Sequence, residues 1–145
     1  MLINLITQEA IVWSGHAQII IVPTSLGEIS VLDNHEPLIC MLAHGELKIK
    51  DIQSIDIGYG DINSQVSVDF GITGGFVEIA QNKVVILADS ADRSDEIDEL
   101  KAQEAKDKAQ KLLSEQLLDV EFAEAQASLQ KALLHLKIAK RKKKI

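Results

Sequence analysis

Aromatic residues are almost missing from this chain: one tryptophan, one tyrosine and three phenylalanines, 3% of the sequence. A core must therefore be built from Ile, Val and Leu, and recognition of nucleic acid by interleaved aromatic and basic residues has little to draw on. Cys40 is the single cysteine, which excludes an internal disulfide and fits a reducing compartment. Lying between Ile39 and Met41, it reads as a small core residue. No apolar run approaches the roughly 18 residues that cross a bilayer as a helix. The N-terminus has neither the basic-then-apolar order of a secretory signal nor the Arg- and Ser-rich look of a transit peptide. No G-x-x-x-x-G-K-[ST] loop is present to cradle a phosphate. His16, His35, His44 and His135 stand far apart in sequence, none at metal-ligand spacing from a cysteine or carboxylate. Ser30, Asp33 and His35 lack any nucleophile-elbow context. The residues alone point away from an enzyme and from a metal site.

What remains is ordinary for a globular protein: 145 residues, 46% hydrophobic and 26% charged, enough for one good core or a compact core with an appendage. The net charge of −7 is unevenly spread. Residues 1–89 hold Lys48, Lys50 and Lys83 against eleven acidic side chains, whereas residues 90–145 hold twelve basic against eleven acidic. Six of the last nine residues are positive.

Gly74 to Ser90, G-G-F-V-E-I-A-Q-N-K-V-V-I-L-A-D-S, divides two kinds of polymer. Two runs of branched apolar residues around Gln81-Asn82-Lys83 predict a tight hairpin. Gly74-Gly75 predicts a bulge or a close approach of another backbone. Before this hairpin nearly everything reads as strand: Leu2–Ile6, Ile11–Trp13, a turn at Ser14-Gly15, His16–Val22, Glu28–Leu32, Leu38–Leu42, Leu47–Lys50 and Val66–Phe70. From Asp51 to Gln65 the alternation weakens, which reads as an irregular hairpin or extended loop. About nine or ten strands with short turns predict an antiparallel β-sandwich or flattened barrel over residues 1–89. Residues 90–145 follow as an antiparallel two-helix hairpin. Ser94 is the expected N-cap, with Asp95 and Glu96 in the first turn. Ile97, Leu100, Ala105, Ala109 and Leu112 form the first apolar stripe. Phe122, Ala125, Leu129, Ala132, Leu136 and Ala139 form a 3-4-3-4-3 seam on the second helix.

Several colinear stretches resemble the epsilon subunits of bacterial F-type ATP synthases. They are I-V-W-S-G, V-P-T-S-L-G-E-I and L-D-N-H-E-P-L between Glu9 and Leu38, then G-G-F-V-E-I-A-Q-N-K-V-V-I-L-A-D-S-A and E-I-D-E-L-K-A. The resemblance covers nearly the whole chain and departs from the family in the length of Asp51–Gln65. It implies a ten-stranded sandwich with a two-helix domain, acting as a non-catalytic central-stalk subunit of a proton-translocating enzyme. Its implied partners are the gamma subunit, the ring of c subunits and, through the helices, the alpha and beta subunits. Neither nucleic-acid binding nor membrane insertion is implied. Its implied place is peripheral, at the cytoplasmic face of the bacterial inner membrane.

Carried over residue by residue, the family's c-ring contacts fall on Glu28 and His35. His35 read alone is a solvated turn histidine or a partner contact. Some bacterial members bind ATP through an I-D-x-x-R-A motif and further arginines. Here Ile97, Asp98, Lys101 and Ala102 match that motif with lysine for arginine, and Lys108, Lys131 and His135 take the places of the other arginines. Lysine lacks the bidentate fork and neutral histidine contributes little to phosphate binding. The expectation is weak or absent ATP binding and no other cofactor. The inhibitory contact of the family falls on the basic end: Lys137, Lys140, Arg141, Lys142, Lys143 and Lys144. Read alone, that run is a solvated helix end or a site for nucleic acid, anionic lipid or an acidic protein surface. A freestanding β-domain adaptor with a lipid- or nucleic-acid-binding tail is the rival reading.

Overall fold

The computed structural model describes residues 1–62, 67–115 and 118–143, the side chains of Lys142 and Lys143 excepted. It divides into two compact units, Met1–Arg93 and Ser94–Ile145. Among the described residues the first unit has seven strands: β1 (Leu2–Ile6), β2 (Ile11–Thr24), β3 (Gly27–Leu32), β4 (Leu38–Met41), β5 (Gly45–Ile57), β6 (Val68–Ala80) and β7 (Lys83–Arg93). Five of them close on themselves in the order β1-β7-β6-β5-β2-β1, while β3 extends the sheet beyond β2 and β4 pairs with β6. The result is a five-stranded barrel with two extra strands. Of the sandwich and the flattened barrel expected, this is nearer the barrel, with seven strands among the described residues rather than about ten, and it is not wholly antiparallel, because β1 runs parallel to β7 from Leu2↔Lys83 to Ile6↔Leu87.

The strand count falls because segments that look separate in sequence are continuous. Ser14-Gly15 is not a turn: both residues lie within β2, and a Cβ on Gly15 would strike the Ser54 carbonyl oxygen of β5. The stretch from Asp51 likewise continues β5 to Ile57. Ser14 pairs with Ile57 but Gly15 with Ile55, and His16 with Ser54 but Ala17 with Ile52. Asp56 and Gln53 are therefore extra residues, and each bulge advances the period-two pattern by one. Two such steps erase the alternation that marks a strand. Thr73 to Gly75 likewise joins two expected strands into β6. The expected strand start at Val66, with Gln65, lies outside the described residues.

The central hairpin forms as its sequence predicts. Gln81 and Asn82 both have positive φ, 51° and 58°, the two-residue turn whose twist suits antiparallel strands. Gly75 has φ 108°, and a Cβ there would overlap the Leu87 carbonyl oxygen. The β6–β7 register runs through without a shift, so the paired glycines mark close backbone approach rather than a bulge. The barrel interior holds Trp13, Phe70, Ile3, Leu5, Ile20, Leu47, Ile49, Ile72 and Ile86, all with no exposed surface. An aliphatic core with two large rings is what the scarcity of aromatics requires.

The second unit holds a short 3-10 turn (Ser94–Glu96), α1 (Glu99–Leu113) and α2 (Asp119–Lys143). α1 is capped by Asp98, whose side chain accepts from the Leu100 and Lys101 amides, rather than by Ser94. Its buried positions are Ala102 and Ala109, with Lys106 and Leu113 half-buried, while Leu100, Ala105 and Leu112 are exposed. The seam is thus 102, 106, 109 and 113, rotated from the expected one. α2 buries Ala125, Ala132, Leu136 and Ala139 as predicted, but Phe122 stays 45% exposed. Ile97, Ile138, Ala139 and Leu134 close the open end of the helix pair.

Candidate functional site: interaction surfaces

β4 alternates in an unusual way. Cys40 points inward and is buried, as expected of a small core residue, and strand geometry then turns Ile39 and Met41 outward. They are 73% and 59% exposed. Met41 pairs with Phe76 on β6, Phe76 with Leu87 on β7, and Leu87 with Ile6 on β1. Phe76 and Leu87 are each about half exposed, so one row of apolar side chains crosses four strands on the outside of the barrel. A polar face is the ordinary solution there, and a contiguous apolar band marks a binding surface. Sequence reasoning missed it. The signal was the unbroken run Leu38-Ile39-Cys40-Met41-Leu42, which must place apolar groups on both faces of a strand.

Glu28 and His35 flank the same strand, β3, which ends the sheet and leaves one edge without a strand partner among the described residues. Glu28 opposes Pro23 at the start of β3 and is exposed. His35 follows the other end in the Asp33–Pro37 turn, half-buried, with Nδ1 2.7 Å from the Glu36 carbonyl oxygen. That turn is tied down by the Asn34 amide donating to Asn82 Oδ1 at 2.8 Å. The two residues therefore bracket one free edge about 13 Å or more long.

The expected nucleotide residues separate into different roles. The Asp98 carboxylate is engaged in capping, 2.8 Å from the Leu100 amide. Ala102 is buried in the seam, Ile97 packs with Ile138, and Lys101 and Lys108 face solvent. Lys131 and His135 are half-buried one turn apart on α2. The contact of Ile97 with Ile138 puts His135 opposite the first turn of α1, whereas Lys108 lies roughly 10 Å further along α1 than Lys101. At the basic end, Lys137 and Lys140 are exposed and Arg141 is half-buried. The Lys142 and Lys143 side chains, and Lys144, lie outside the described residues.

A small barrel with an outward apolar band, joined to a pair of helices, defines an interaction subunit. Among the described residues no group of His, Cys, Asp and Glu could hold a metal, and no helix is long and apolar enough to cross a membrane. The first unit matches the family model "ATP synthase, Delta/Epsilon chain, beta-sandwich domain" over residues 1–94. The second matches "ATP synthase, Delta/Epsilon chain, long alpha-helix domain" over residues 95–140. The chain belongs to the delta/epsilon family of ATP synthase subunits, which are stalk and regulatory rather than catalytic. It is 36% identical over 143 residues to the ATP synthase epsilon chain of Dehalococcoides mccartyi, covering 98% of this chain and 94% of that one. It is 33% identical over 138 residues to that of Herpetosiphon aurantiacus, covering 95% and 93%. Two solved assemblies contain chains of the same fold. One is the OSCP/F1/c-ring of Euglena gracilis mitochondrial ATP synthase (TM-score 0.65, 22% identity, 88% of this chain and 74% of that one). The other is the central stalk and c-ring of the Tetrahymena thermophila enzyme (TM-score 0.57, 18% identity, 96% of each).

Proposed function

We propose that this chain is the central-stalk subunit that joins the gamma subunit to the c ring of a bacterial proton-translocating ATP synthase, and that its helices restrain ATP hydrolysis. The apolar band of Ile39, Met41, Phe76 and Leu87 carries the reading. It is too continuous to be left in water, and gamma is the partner that would cover it in a stalk. Glu28 and His35, at the two ends of the free β3 edge, would meet the polar loops of the c ring through hydrogen bonds and charge pairs. The subunit would sit peripherally at the cytoplasmic face of the inner membrane.

The thin, alanine-lined seam between α1 and α2 supports a restraining role. Ala102, Ala109, Ala125 and Ala132 bury little area each, so the helices can exchange this packing for another at modest cost. The basic end of α2 would be drawn to an acidic segment on the catalytic subunits, most strongly at low salt. The test is ATP hydrolysis by the assembled enzyme carrying the full chain, a chain ending after Ala139 or a chain ending after Arg93. Hydrolysis should rise in that order, and added salt should relieve inhibition in the full-length complex alone. Equal rates for all three across a salt series would overturn the inhibitory role.

A further inference from the structure

The apolar band has a carboxylate on either side of it. On the outward face β6 presents Gly74, Phe76 and Glu78, and β7 presents Asp89, Leu87 and Val85. Phe76 pairs with Leu87 and Glu78 with Val85, while Thr73↔Ser90 and Gly75↔Ala88 set Gly74 opposite Asp89. Phe76 and Leu87 therefore stand between Glu78 on one side and Asp89 on the other. Glu78 also opposes Ile39 of β4, which is 73% exposed. Its carboxylate is thus set among apolar side chains, at a place where an aliphatic residue would simply extend the band.

Asp89 is placed by the glycine across from it. Gly74 has φ 62°, and a Cβ there would strike the Asp89 carboxylate. The carboxylate lies in the space that a side chain at position 74 would fill, in line with Phe76 and Glu78 on β6. Four residues of strand separate positions 74 and 78, about 13 Å. Both acidic residues are exposed, and neither forms an ion pair among the described residues, although Lys83 stands beyond Val85 on the same face. The field around them has the same sign, since residues 1–89 carry eleven acidic side chains against three basic.

We propose that Glu78 and Asp89 decide which surface docks on this band: an apolar strip running between two basic side chains about 13 Å apart. This role rests on the coupling function given above, in which gamma covers the band, and it fixes the chemistry that gamma must present there. Apolar contact supplies affinity in proportion to area, but it does not set register. Two charges do. A dock shifted by one pair of residues along the strands, about 7 Å, carries both cations off their carboxylates. One carboxylate is then covered by apolar surface without a partner, and the cost of desolvating it opposes the shifted register. The acidic sign of the whole unit also draws a cationic partner towards the face. A second copy of this chain is a poor occupant, because it would set carboxylates against carboxylates.

The test is calorimetric titration of the gamma subunit into wild-type chain, Glu78→Gln, Asp89→Asn, the double variant and Phe76→Ala, across a salt series. The two amide replacements keep shape and remove charge, and thermal unfolding checks that each variant folds as wild type does. Each should weaken binding roughly three- to fivefold at low salt, and Glu78→Lys by more than about tenfold. Wild-type affinity should fall with added salt, and the slope should flatten in each amide variant and further in the double one. Phe76→Ala should weaken binding while keeping the wild-type slope. Wild-type affinity and slope in the double variant, where Phe76→Ala weakens binding, overturn the charged bracket and leave gamma on the band. Unchanged binding by Phe76→Ala removes gamma from the band, and the bracket with it. A chain that sediments as a dimer, and as a monomer after Phe76→Ala, gives the face to a second copy and likewise overturns the proposal.

Discussion

Replacing Phe76 by alanine tests the apolar band most directly. The side chain is 53% exposed, so about half of its surface remains to be buried by a partner. Full burial of a large apolar side chain is worth about 1.5–3 kcal/mol. The exposed half of Phe76 should then contribute about 0.8–1.5 kcal/mol, or roughly four- to twelvefold in affinity. Leu87 is 50% exposed and smaller, and its removal should cost about fivefold. The three residues Met41, Phe76 and Leu87 together set an upper limit of about 5 kcal/mol, which the ordering costs of association reduce. Phe76 lies outside the core, so folding loses its partial burial and its cross-strand pairs with Met41 and Leu87, about 2 kcal/mol at most. Calorimetric titration of gamma subunit into wild-type chain, Phe76→Ala and Leu87→Ala reads the effect, with thermal unfolding as the control. Unchanged affinity in two well-folded variants would refute the assignment of this face to gamma.

Glu28→Ala combined with His35→Ala should lower ATP-driven proton pumping by the assembled enzyme while leaving thermal unfolding of the chain within about 0.5 kcal/mol, since neither side chain is buried; pumping equal to wild type removes the c-ring assignment. Asp98→Ala should destabilise the helical unit by about 1 kcal/mol through loss of the α1 cap, read as an earlier loss of helical circular dichroism on heating. Calorimetry with ATP should detect no binding tighter than roughly micromolar to the wild-type chain, because the lysines here lack the bidentate fork; a tighter site would overturn that reading. Gly75→Ala should cost about 3 kcal/mol or more, or prevent folding, since its positive φ and the Leu87 carbonyl both oppose a Cβ; a variant with wild-type unfolding temperature contradicts it.

The sequence by itself determined whatever depends on near neighbours along the chain. The switch from strand to helix, the Gln81-Asn82 turn and the α2 seam are local patterns, and a period of two or of seven survives any tertiary arrangement. Buried Cys40 between two outward residues was legible for the same reason, although its consequence for Ile39 and Met41 was not drawn. Tertiary structure decided the rest. Closure of the barrel through a parallel β1–β7 pair joins residues some 80 positions apart, and no local pattern encodes which distant strand supplies a partner. The bulges at Gln53 and Asp56 are invisible in sequence because each cancels the alternation by which a strand is read. The helix start moved from Ser94 to Asp98 because Ser94 is buried and Ile97 is drawn into the contact with Ile138, a choice made by packing between residues far apart rather than by cap preference.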